Sequence, residues 1–540
     1  MINGVRKCPG LQTLISGDGH FTGVQNGGNE CAAAELGAGD TEVTVSAASC
    51  GKIALEWFFE SWGSFIGSSR MKPSVLASGL MLYILYICVE IGNQQKVSPR
   101  KLKQIKKEVA NYKDIAKSII DLAIYGSAQN RSYERLALFV DTIGNRVSGS
   151  DNLKNAIKYM YNALHEDQLQ NVSLEPVKIP HWERGKELAI MIQPREKNLA
   201  ILGLGGSVGT PVEGITAEVL VVSSFDELQR RSVEAKGKIV VYNQPFISYG
   251  ETVQYRSRGA SEAAKVGAVA SLIRSIAPFS INSPHTGWQD YESGVQKIPT
   301  ACITIEDAEL MARLAARGVK IVVNLNMGAV QHPDADSFNT VAEIVGSKYP
   351  EQVVIVSGHL DSWDVGQGAM DDGGGAFISW EALSLVKDLG LRPKRTIRLV
   401  LWTGEEQGGV GSSQYYDMHK KDIANMDLVM ETDMGTFMPL GMEFSGKPEA
   451  RAIMSEIMQL LEPINITKLY DHADGTDISF WMEAGVPGAS LLDDISKYFW
   501  FHHSEGDTMT VQNPVWMNLC AAIWTVVAYV VADLEEMLPR

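Results

Sequence analysis

The C-terminal part of the chain alternates strand-like and helix-like segments in a pattern that few folds allow. From residue 335 onward, apolar runs such as 353–358 (VVIVSG) and 395–402 (RTIRLVLW) are typical of buried strands. The segments 374–390 and 448–463 between and after them are typical of helices. This alternation predicts an α/β fold with a mixed, mainly parallel sheet and helices on both faces. Ligands bind such sheets at the carboxyl ends of the strands.

Acidic residues and histidines follow the predicted strands at that edge. They are His359, Asp361 and Asp371; Glu405 and Glu406; Glu431 and Asp433; and, near the C-terminus, His502, His503 and Asp507. Several carboxylates at one edge of a sheet repel one another unless cations lie between them. Imidazole and carboxylate ligands without a thiolate favour zinc, with cobalt or manganese as alternatives.

Four motifs make this part of the chain specific. The segments GHLDS (358–362), AMDDGGG (369–375), WTGEEQGG (402–409) and FHHSEGDT (501–508) resemble those of the co-catalytic two-zinc aminopeptidase and glutamate carboxypeptidase family. The resemblance spans about residues 71–540. It implies a zinc aminopeptidase-like fold and two zinc ions per chain.

By this resemblance, one zinc ion is held by His359 and Asp433, the other by Glu406 and His503, and Asp371 bridges both. The glycines that follow Asp371 would let the backbone approach the metals closely.

The resemblance also implies catalytic roles for two acids that hold no metal. Asp361 would orient His359 and tune its basicity. Glu405 would be the general base: it takes a proton from a water shared by the two ions, the hydroxide attacks the peptide carbonyl, and Glu405 returns the proton to the leaving amine. His502 is interpreted as a packing or substrate-side residue. The chain has the aspartate of the family pattern at Asp477, but it has Ile478 at a position where the family often has histidine.

The predicted function is that of a zinc metallopeptidase. The resemblance implies that it hydrolyses short peptides, in particular dipeptides with free ends, and that it is a homodimer. An aminopeptidase on longer peptides and an N-acyl amino acid amidohydrolase remain alternatives. A non-catalytic scaffold is disfavoured because the ligand set and the base are complete. A net charge of −16 argues against a sequence-independent nucleic-acid binder.

The middle of the chain has a different pattern of predicted strands and helices from the rest. Between residues 196 and 334, short β-rich runs such as 238–244 (KIVVYNQ) alternate with short helical segments. This predicts an inserted α+β domain, which resembles a protease-associated domain. The insert divides the catalytic domain into 93–195 and 335–540.

The N-terminal region points to a secretory route. Residues 75–89 are almost entirely apolar and follow Arg70 and Lys72, so residues 71–92 are predicted to be a signal peptide that leaves no stable membrane span. A buried helix or a short anchor is the alternative. Residues 1–70 would be a disordered upstream extension. Three sequons, at Asn130, Asn171 and Asn465, fit a glycoprotein that is secreted or lysosomal, with passage through the ER and Golgi.

Overall fold

The computed structural model describes residues 12–15, 21–26 and 29–30 and the continuous stretch 99–540, which fall in two units, 1–93 and 94–540. In the first unit, strands β1 (Gln12–Ile15), β2 (Phe21–Asn26) and β3 (Asn29–Glu30) form an antiparallel sheet in that order. The predicted signal peptide at 71–92 lies outside the described residues. The disorder expected of 1–70 stays a prediction.

Fifteen α-helices lie in the described part of the second unit, residues 99–540. They are α1 (Pro99–Ala110), α2 (Lys113–Ile124), α3 (Arg131–Ile143), α4 (Asp151–Glu166), α5 (Phe225–Arg230), α6 (Ser232–Ala235), α7 (Tyr249–Thr252), α8 (Gln254–Lys265), α9 (Ile305–Ala316), α10 (Gly374–Asp388), α11 (Val410–His419), α12 (Pro448–Met458), α13 (Ser479–Glu483), α14 (Tyr498–Phe501) and α15 (Pro514–Asp533).

Sixteen strands accompany these helices. They are β4 (Gln170–Glu183), β5 (Glu187–Gln193), β6 (Lys197–Leu199), β7 (Ile201–Gly203), β8 (Ile215–Val222), β9 (Ile239–Tyr242), β10 (Ala270–Arg274), β11 (Thr300–Ile303), β12 (Val322–Met327), β13 (Val330–Ile344), β14 (Tyr349–His359), β15 (Arg395–Trp402), β16 (Met426–Glu431), β17 (Pro439–Ser445), β18 (Leu469–Asp471) and β19 (Gly488–Asp493).

The larger sheet carries the predicted site and has the strand order β18-β17-β19-β16-β14-β15-β13-β4. Its central strands β15, β14, β16 and β19 run parallel, while β13 and β4 continue antiparallel at one side. Alternate residues of β14 enter different cores: Val354 and Val356 pack into the main cluster, and Val353 and Ile355 into a second one. Burial on both faces explains why this strand is an unbroken apolar run. The predicted mixed α/β fold is confirmed.

Helix α15 passes through the main core. Among the described residues it is the one helix long and apolar enough to cross a membrane, and 83% of its most apolar window is buried inside the protein. It packs against α10 and α2, and the indole nitrogen of Trp524 donates to Ser379 Oγ at 2.9 Å. The apolar side chains of this helix are therefore buried in the core of the second unit.

A second sheet is formed between residues 187 and 327, in the order β6-β5-β12-β8-β9-β10-β11-β7. Its central strands β8, β9, β10 and β11 are parallel, and it has its own apolar clusters on its two faces. The sheet begins with β5, before the predicted boundary at 196. Its assignment as a protease-associated insert stays a prediction. Cys302 in β11 and Cys520 in α15 are both buried and free.

Candidate metal centre

Parallel strands bring the predicted ligands together at one edge of the larger sheet. His359 is the last residue of β14, Glu405 and Glu406 follow β15, and Asp433 lies two residues beyond β16. Strand β14 is hydrogen-bonded to both of its neighbours, so these side chains meet although they are far apart in sequence. His503 reaches the same place from the loop after α14.

Asp371 lies between the two histidines. Its Oδ1 is 3.3 Å from His359 Nε2, and its Oδ2 is 3.3 Å from His503 Nε2. His359 Nε2 is also 3.3 Å from Asp433 Oδ1, and His503 Nε2 is 3.0 Å from Glu406 Oε2. The structure thus groups the five predicted ligands as two pairs that share one carboxylate.

The orientation of His359 is fixed by main-chain contacts. Its Nδ1 is 2.9 Å from the backbone oxygen of Asp361 and 3.7 Å from the nearest carboxylate oxygen of the same residue. A proton on Nδ1 that is donated to this carbonyl leaves the Nε2 lone pair facing the carboxylates. The Asp361 carboxylate instead accepts hydrogen bonds from the N–H groups of Glu405 and Glu406, at 3.2 and 3.3 Å. Asp361 therefore fixes the main chain of both glutamates.

His502 lies against the site without belonging to the predicted ligand set. Its ring stacks on His503 with a centroid distance of 3.6 Å, and its Nε2 is 3.6 Å from Asp371 Oδ2. Burial lowers its pKa well below the usual value, and the neighbouring His503 adds to this shift. The ring thus packs against a predicted ligand, and it also lines the cavity described below, so its interpretation as a packing or substrate-side residue stays a prediction.

The pKa values in the site shift in opposite directions. Burial raises the pKa of Glu405 well above its usual range and that of Asp433 to about 7. Burial opposes charge on Asp371 too, but its contacts with His359 and His503 hold its pKa well below the usual range. Burial likewise opposes protonation of His359, yet Asp371 and Asp433 raise its pKa well above normal. Protons on these side chains neutralise part of the negative charge that is buried here. Divalent cations bound between the carboxylates would neutralise all of it.

The residues present fit metal ions. Asp371 Oδ2 and Glu406 Oε1 are buried and have no hydrogen-bond partner, an arrangement that costs free energy unless a cation satisfies them. In each of two groups of side chains, the possible ligand atoms lie within 4.8 Å of one another. One group is Asp371, His502 and His503, and the other is His359, Glu405 and Asp433. Imidazoles and carboxylates are a donor set that suits zinc.

The glycines after Asp371 allow a close approach between two segments of the main chain, whereas the predicted approach of the backbone to the metals stays a prediction. The peptide bond between Asp371 and Asp372 is cis, and Gly375 lies in the first turn of α10. A Cβ atom at Gly375 would overlap the carbonyl oxygen of Thr432, in the segment that carries Asp433. The Asp372 carboxylate accepts from the N–H groups of His359 and Gly375, so it ties the end of β14 to the start of α10.

Two residues that support the Asp371 loop were missed as supports at the sequence level. The Asp507 carboxylate accepts from the N–H groups of Met370 and Asp371 at 2.7 and 3.2 Å. Arg146, between α3 and α4, is fully buried and donates to the carbonyl oxygens of Leu360 and Gly368 at 2.5 and 2.9 Å. Asp507 follows the His503 motif, which was a usable signal, whereas Arg146 lies in a segment (NRVSGS) that reads only as a turn.

A cavity of about 610 Å³ opens onto the predicted metal ligands. It is lined by residues that follow the strands of the larger sheet, such as Asp371, Glu405 and Asp433, and by Tyr249 and Arg256 of helices α7 and α8. A volume of this size accommodates a small ligand. Asp477 and Ile478 are buried behind the site, where the N–H groups of both residues donate to Glu431 Oε2.

The three sequon asparagines differ in environment. Asn465 is exposed, whereas Asn171 donates through Nδ2 to Glu343 Oε2 at 2.6 Å. Asn130 is half-buried and its Oδ1 accepts from Asn518 at 2.9 Å. Glycosylation of each stays a prediction.

Comparison with known proteins gives the same assignment across nearly all of the described stretch. The family model for Peptidase family M28 matches residues 339–528. Carboxypeptidase Q of Xenopus laevis is 77% identical over 470 residues, which are 87% of this chain and 100% of that protein. Carboxypeptidase Q of Homo sapiens is 70% identical over 444 residues, 82% of this chain and 94% of that protein.

Solved structures share the fold. A Peptidase M28 precursor from Shewanella amazonensis is similar with a TM-score of 0.76 and 32% identity, over 80% of this chain and 99% of that one. A zinc aminopeptidase from Bacillus subtilis has a TM-score of 0.58 and 19% identity, over 76% of this chain and 99% of that one, and supports the fold alone.

Proposed function

Because the chain belongs to the carboxypeptidase Q branch of peptidase family M28, we propose that it hydrolyses short peptides with free ends, dipeptides in particular. The chain is a zinc-dependent exopeptidase. We further propose two zinc ions per chain, held by His359 with Asp433 and by Glu406 with His503. The observation that supports this most is the position of Asp371, with one carboxylate oxygen toward each histidine.

The two metal positions would supply Lewis-acid chemistry, lowering the pKa of a water and polarising the scissile carbonyl. Glu405 would accept the proton of that water on its carboxylate and deliver it to the amine that leaves. Its carboxylate lines the cavity, with Oε2 3.8 Å from His359 Nε2. The pKa of Glu405, which burial raises, allows it to hold a proton between the two transfers.

Asp361 keeps this base in place. Its carboxylate accepts from the main-chain N–H groups of Glu405 and Glu406, so both side chains leave a fixed backbone. His503 Nδ1 is 3.2 Å from the carbonyl oxygen of Thr286, which orients the second imidazole in the same way that Asp361 orients His359. The proposed base and both imidazoles are thus held by hydrogen bonds to oxygens of residues outside the predicted ligand set.

A substrate panel tests the proposed activity. The full chain, produced through a secretory route, is given an unblocked dipeptide, its N-acetyl form and an unblocked hexapeptide, and the released amino acids are measured by mass spectrometry. We expect rapid cleavage of the unblocked dipeptide and none by Glu405→Gln. Preference for the hexapeptide would indicate an aminopeptidase on longer peptides, and preference for the N-acetyl compound an amidohydrolase.

The route and assembly of the protein are part of the same proposal. We propose that it enters the secretory pathway, is glycosylated, is secreted or delivered to lysosomes, and acts as a homodimer. Free cysteines number two among residues 99–540, and both are buried, so neither thiol is exposed to oxidants. Deglycosylation of the secreted protein, followed by mass measurement and light scattering, tests the glycans and the dimer.

A further inference from the structure

The two histidines of the predicted ligand set are oriented from different parts of the chain. His359 Nδ1 faces the backbone oxygen of Asp361, two residues further along, at 2.9 Å. His503 Nδ1 instead faces the carbonyl oxygen of Thr286 at 3.2 Å, in the second sheet's segment (residues 187–327). A ring that binds a metal through Nε2 carries its proton on Nδ1 and donates it to such an oxygen. One ligand of the site therefore depends on a segment outside the larger sheet.

Further hydrogen bonds hold Thr286 against this histidine. The N–H group of Thr286 donates to the backbone oxygen of His503 at 2.8 Å, so the two residues are joined in both directions. The neighbouring His285 adds a contact of 2.6 Å between its Nδ1 and the backbone oxygen of His502. The position of Thr286 thus sets the position of the His503 ring, and a group that fixes Thr286 acts on this ligand as well.

Arg184 connects Thr286 with the loop between β14 and Asp371. It lies between β4 of the larger sheet and β5 of the second sheet and is 8% exposed. Its Nε and Nη2 donate to the two carboxylate oxygens of Asp364, at 2.7 and 2.5 Å. The same guanidinium donates to the carbonyl oxygen of Gly203 and, at 3.3 Å, to Thr286 Oγ1. Thr286 Oγ1 in turn donates to the Gly203 carbonyl oxygen at 2.9 Å.

Packing strengthens this junction. The contact of Arg184 with its carboxylate is bidentate, and breaking a buried ion pair of this kind leaves an uncompensated charge. Arg184 Cζ also lies 5.1 Å from the centroid of the Trp182 ring. The apolar cluster that contains Trp182 also contains Trp363, from the loop after β14, and Leu202, from the second sheet's segment. The Trp363 ring lies 5.5 Å from that of His503. Ion pair and cluster therefore join the same two parts of the chain next to the ligand.

We propose that the Arg184–Asp364 ion pair docks the second sheet's segment on the loop after β14 and thereby positions His503 for the ion that it shares with Glu406. Arg184 is then a positioning residue for one ion of the pair. The ion at His359 requires the larger sheet alone, whereas the ion at His503 requires the docked segment. This inference rests on the proposed two-zinc site and gives the second sheet a role in metal binding.

Zinc affinities measured against a competing chelator test the proposal. The variants are Arg184→Met, Arg184→Lys and Thr286→Val, of which the last removes only the hydroxyl between Arg184 and Gly203. The control is Asp307→Asn, which breaks a buried pair with Lys197 (2.6 Å) inside the second sheet's segment. We expect Arg184→Met to hold one ion about 10- to 100-fold more weakly and the other as wild type does. Arg184→Lys and Thr286→Val should show smaller losses at the same ion, and the control none.

A second substitution identifies the affected ion. His503→Ala removes a ligand of one ion, so Arg184→Met added to it should not weaken the ion that remains at His359. Arg184→Met added to His359→Ala should instead weaken the remaining ion about 10- to 100-fold. Equal weakening in both backgrounds would overturn the proposal, because the substitution would then act on the whole fold and not on His503.

Hydrogen exchange provides a readout that does not depend on metal. In the chelated protein, Arg184→Met should speed exchange in the peptides that contain Thr286 and His503, whereas Asp307→Asn should not. Either unchanged exchange there or wild-type affinity for both ions in Arg184→Met would overturn the proposal. Should Arg184→Met fail to fold, Arg184→Lys and Thr286→Val decide by the same two measurements.

Wild type measured alongside separates this proposal from the proposed activity. If wild type holds two ions and cleaves no dipeptide, the proposed peptidase activity is wrong, and the zinc affinities of the variants still decide the role of Arg184. If wild type holds fewer than two ions, the two-zinc site and the role of Arg184 are both overturned.

Discussion

Replacing Arg146 with methionine should destabilise the protein and loosen the loop that carries two site residues. The guanidinium is fully buried and donates to the carbonyl oxygens of Leu360, Gln367 and Gly368 at 2.5, 2.5 and 2.9 Å. These carbonyls flank Asp361 and Asp371. Methionine fills a similar volume but donates nothing, so three buried acceptors lose their partner.

The magnitude follows from these contacts. A hydrogen bond to a charged group contributes about 1.5 kcal/mol at the lower end of its range, so three of them amount to about 4.5 kcal/mol. A loss of this size belongs to the exceptional tail of single substitutions. Burial lowers the pKa of Arg146 to about 10, which still leaves the side chain charged near neutral pH.

Urea unfolding followed by tryptophan fluorescence measures the effect, with and without a chelator so that zinc binding and intrinsic stability are separated. The control is Arg451→Met, which removes a partly exposed arginine paired with exposed Asp471 and should cost less than about 1 kcal/mol. A midpoint for Arg146→Met close to that of wild type, together with normal zinc retention, would refute the supporting role of Arg146.

Two further predictions concern the main-chain anchor of the base and a buried histidine. Asp361→Asn should lower kcat about 10- to 100-fold, because the Asp361 carboxylate accepts from the N–H groups of Glu405 and Glu406. Dipeptide kinetics together with zinc analysis measure this effect, and an unchanged kcat at full zinc occupancy would contradict it. His285→Gln should flatten the pH dependence of stability. Burial lowers the pKa of His285 from 6.5 to about 4. Below pH 6.5 the unfolded chain therefore binds a proton that the folded chain does not, so the free energy of unfolding falls as the pH falls from 6.5 toward 4. Unfolding free energies of the chelated protein should show wild type losing about 2 kcal/mol more than His285→Gln between pH 7.5 and 5; parallel pH profiles would contradict this.

The sequence was sufficient to predict the strands of the site and the edge of the sheet at which the residues after them meet. Strands such as β14 are buried on both faces, so they form unbroken apolar runs, and the residues that follow them must meet at one edge of the sheet. The same reasoning placed His359, Glu405 and Asp433 in one cluster. No knowledge of long-range contacts was needed for this step, because parallel pairing of neighbouring strands determines it.

Other features depend on contacts that no local pattern encodes. Helix α15 is apolar on all sides, so it lacks the amphipathic period that marks a surface helix. Strand β4 contains Pro176 and Pro180 and is partly exposed, so it lacks the unbroken apolar run by which buried strands are recognised in a sequence. Arg256 reaches the site from the second sheet's segment, 247 residues from His503. Likewise, only the structure shows that His359 faces the backbone oxygen of Asp361.

The central claim is that Glu405 moves the proton while the five other side chains hold the metals. Zinc content by mass spectrometry and hydrolysis of an unblocked dipeptide, both measured on wild type, Glu405→Gln and Asp371→Ala, test it most directly. We predict about two zinc ions per chain in wild type and in Glu405→Gln, at least a 100-fold loss of rate in Glu405→Gln, and loss of both zinc and rate in Asp371→Ala. Zinc loss in Glu405→Gln, or turnover retained by that variant at full zinc occupancy, would contradict the claim.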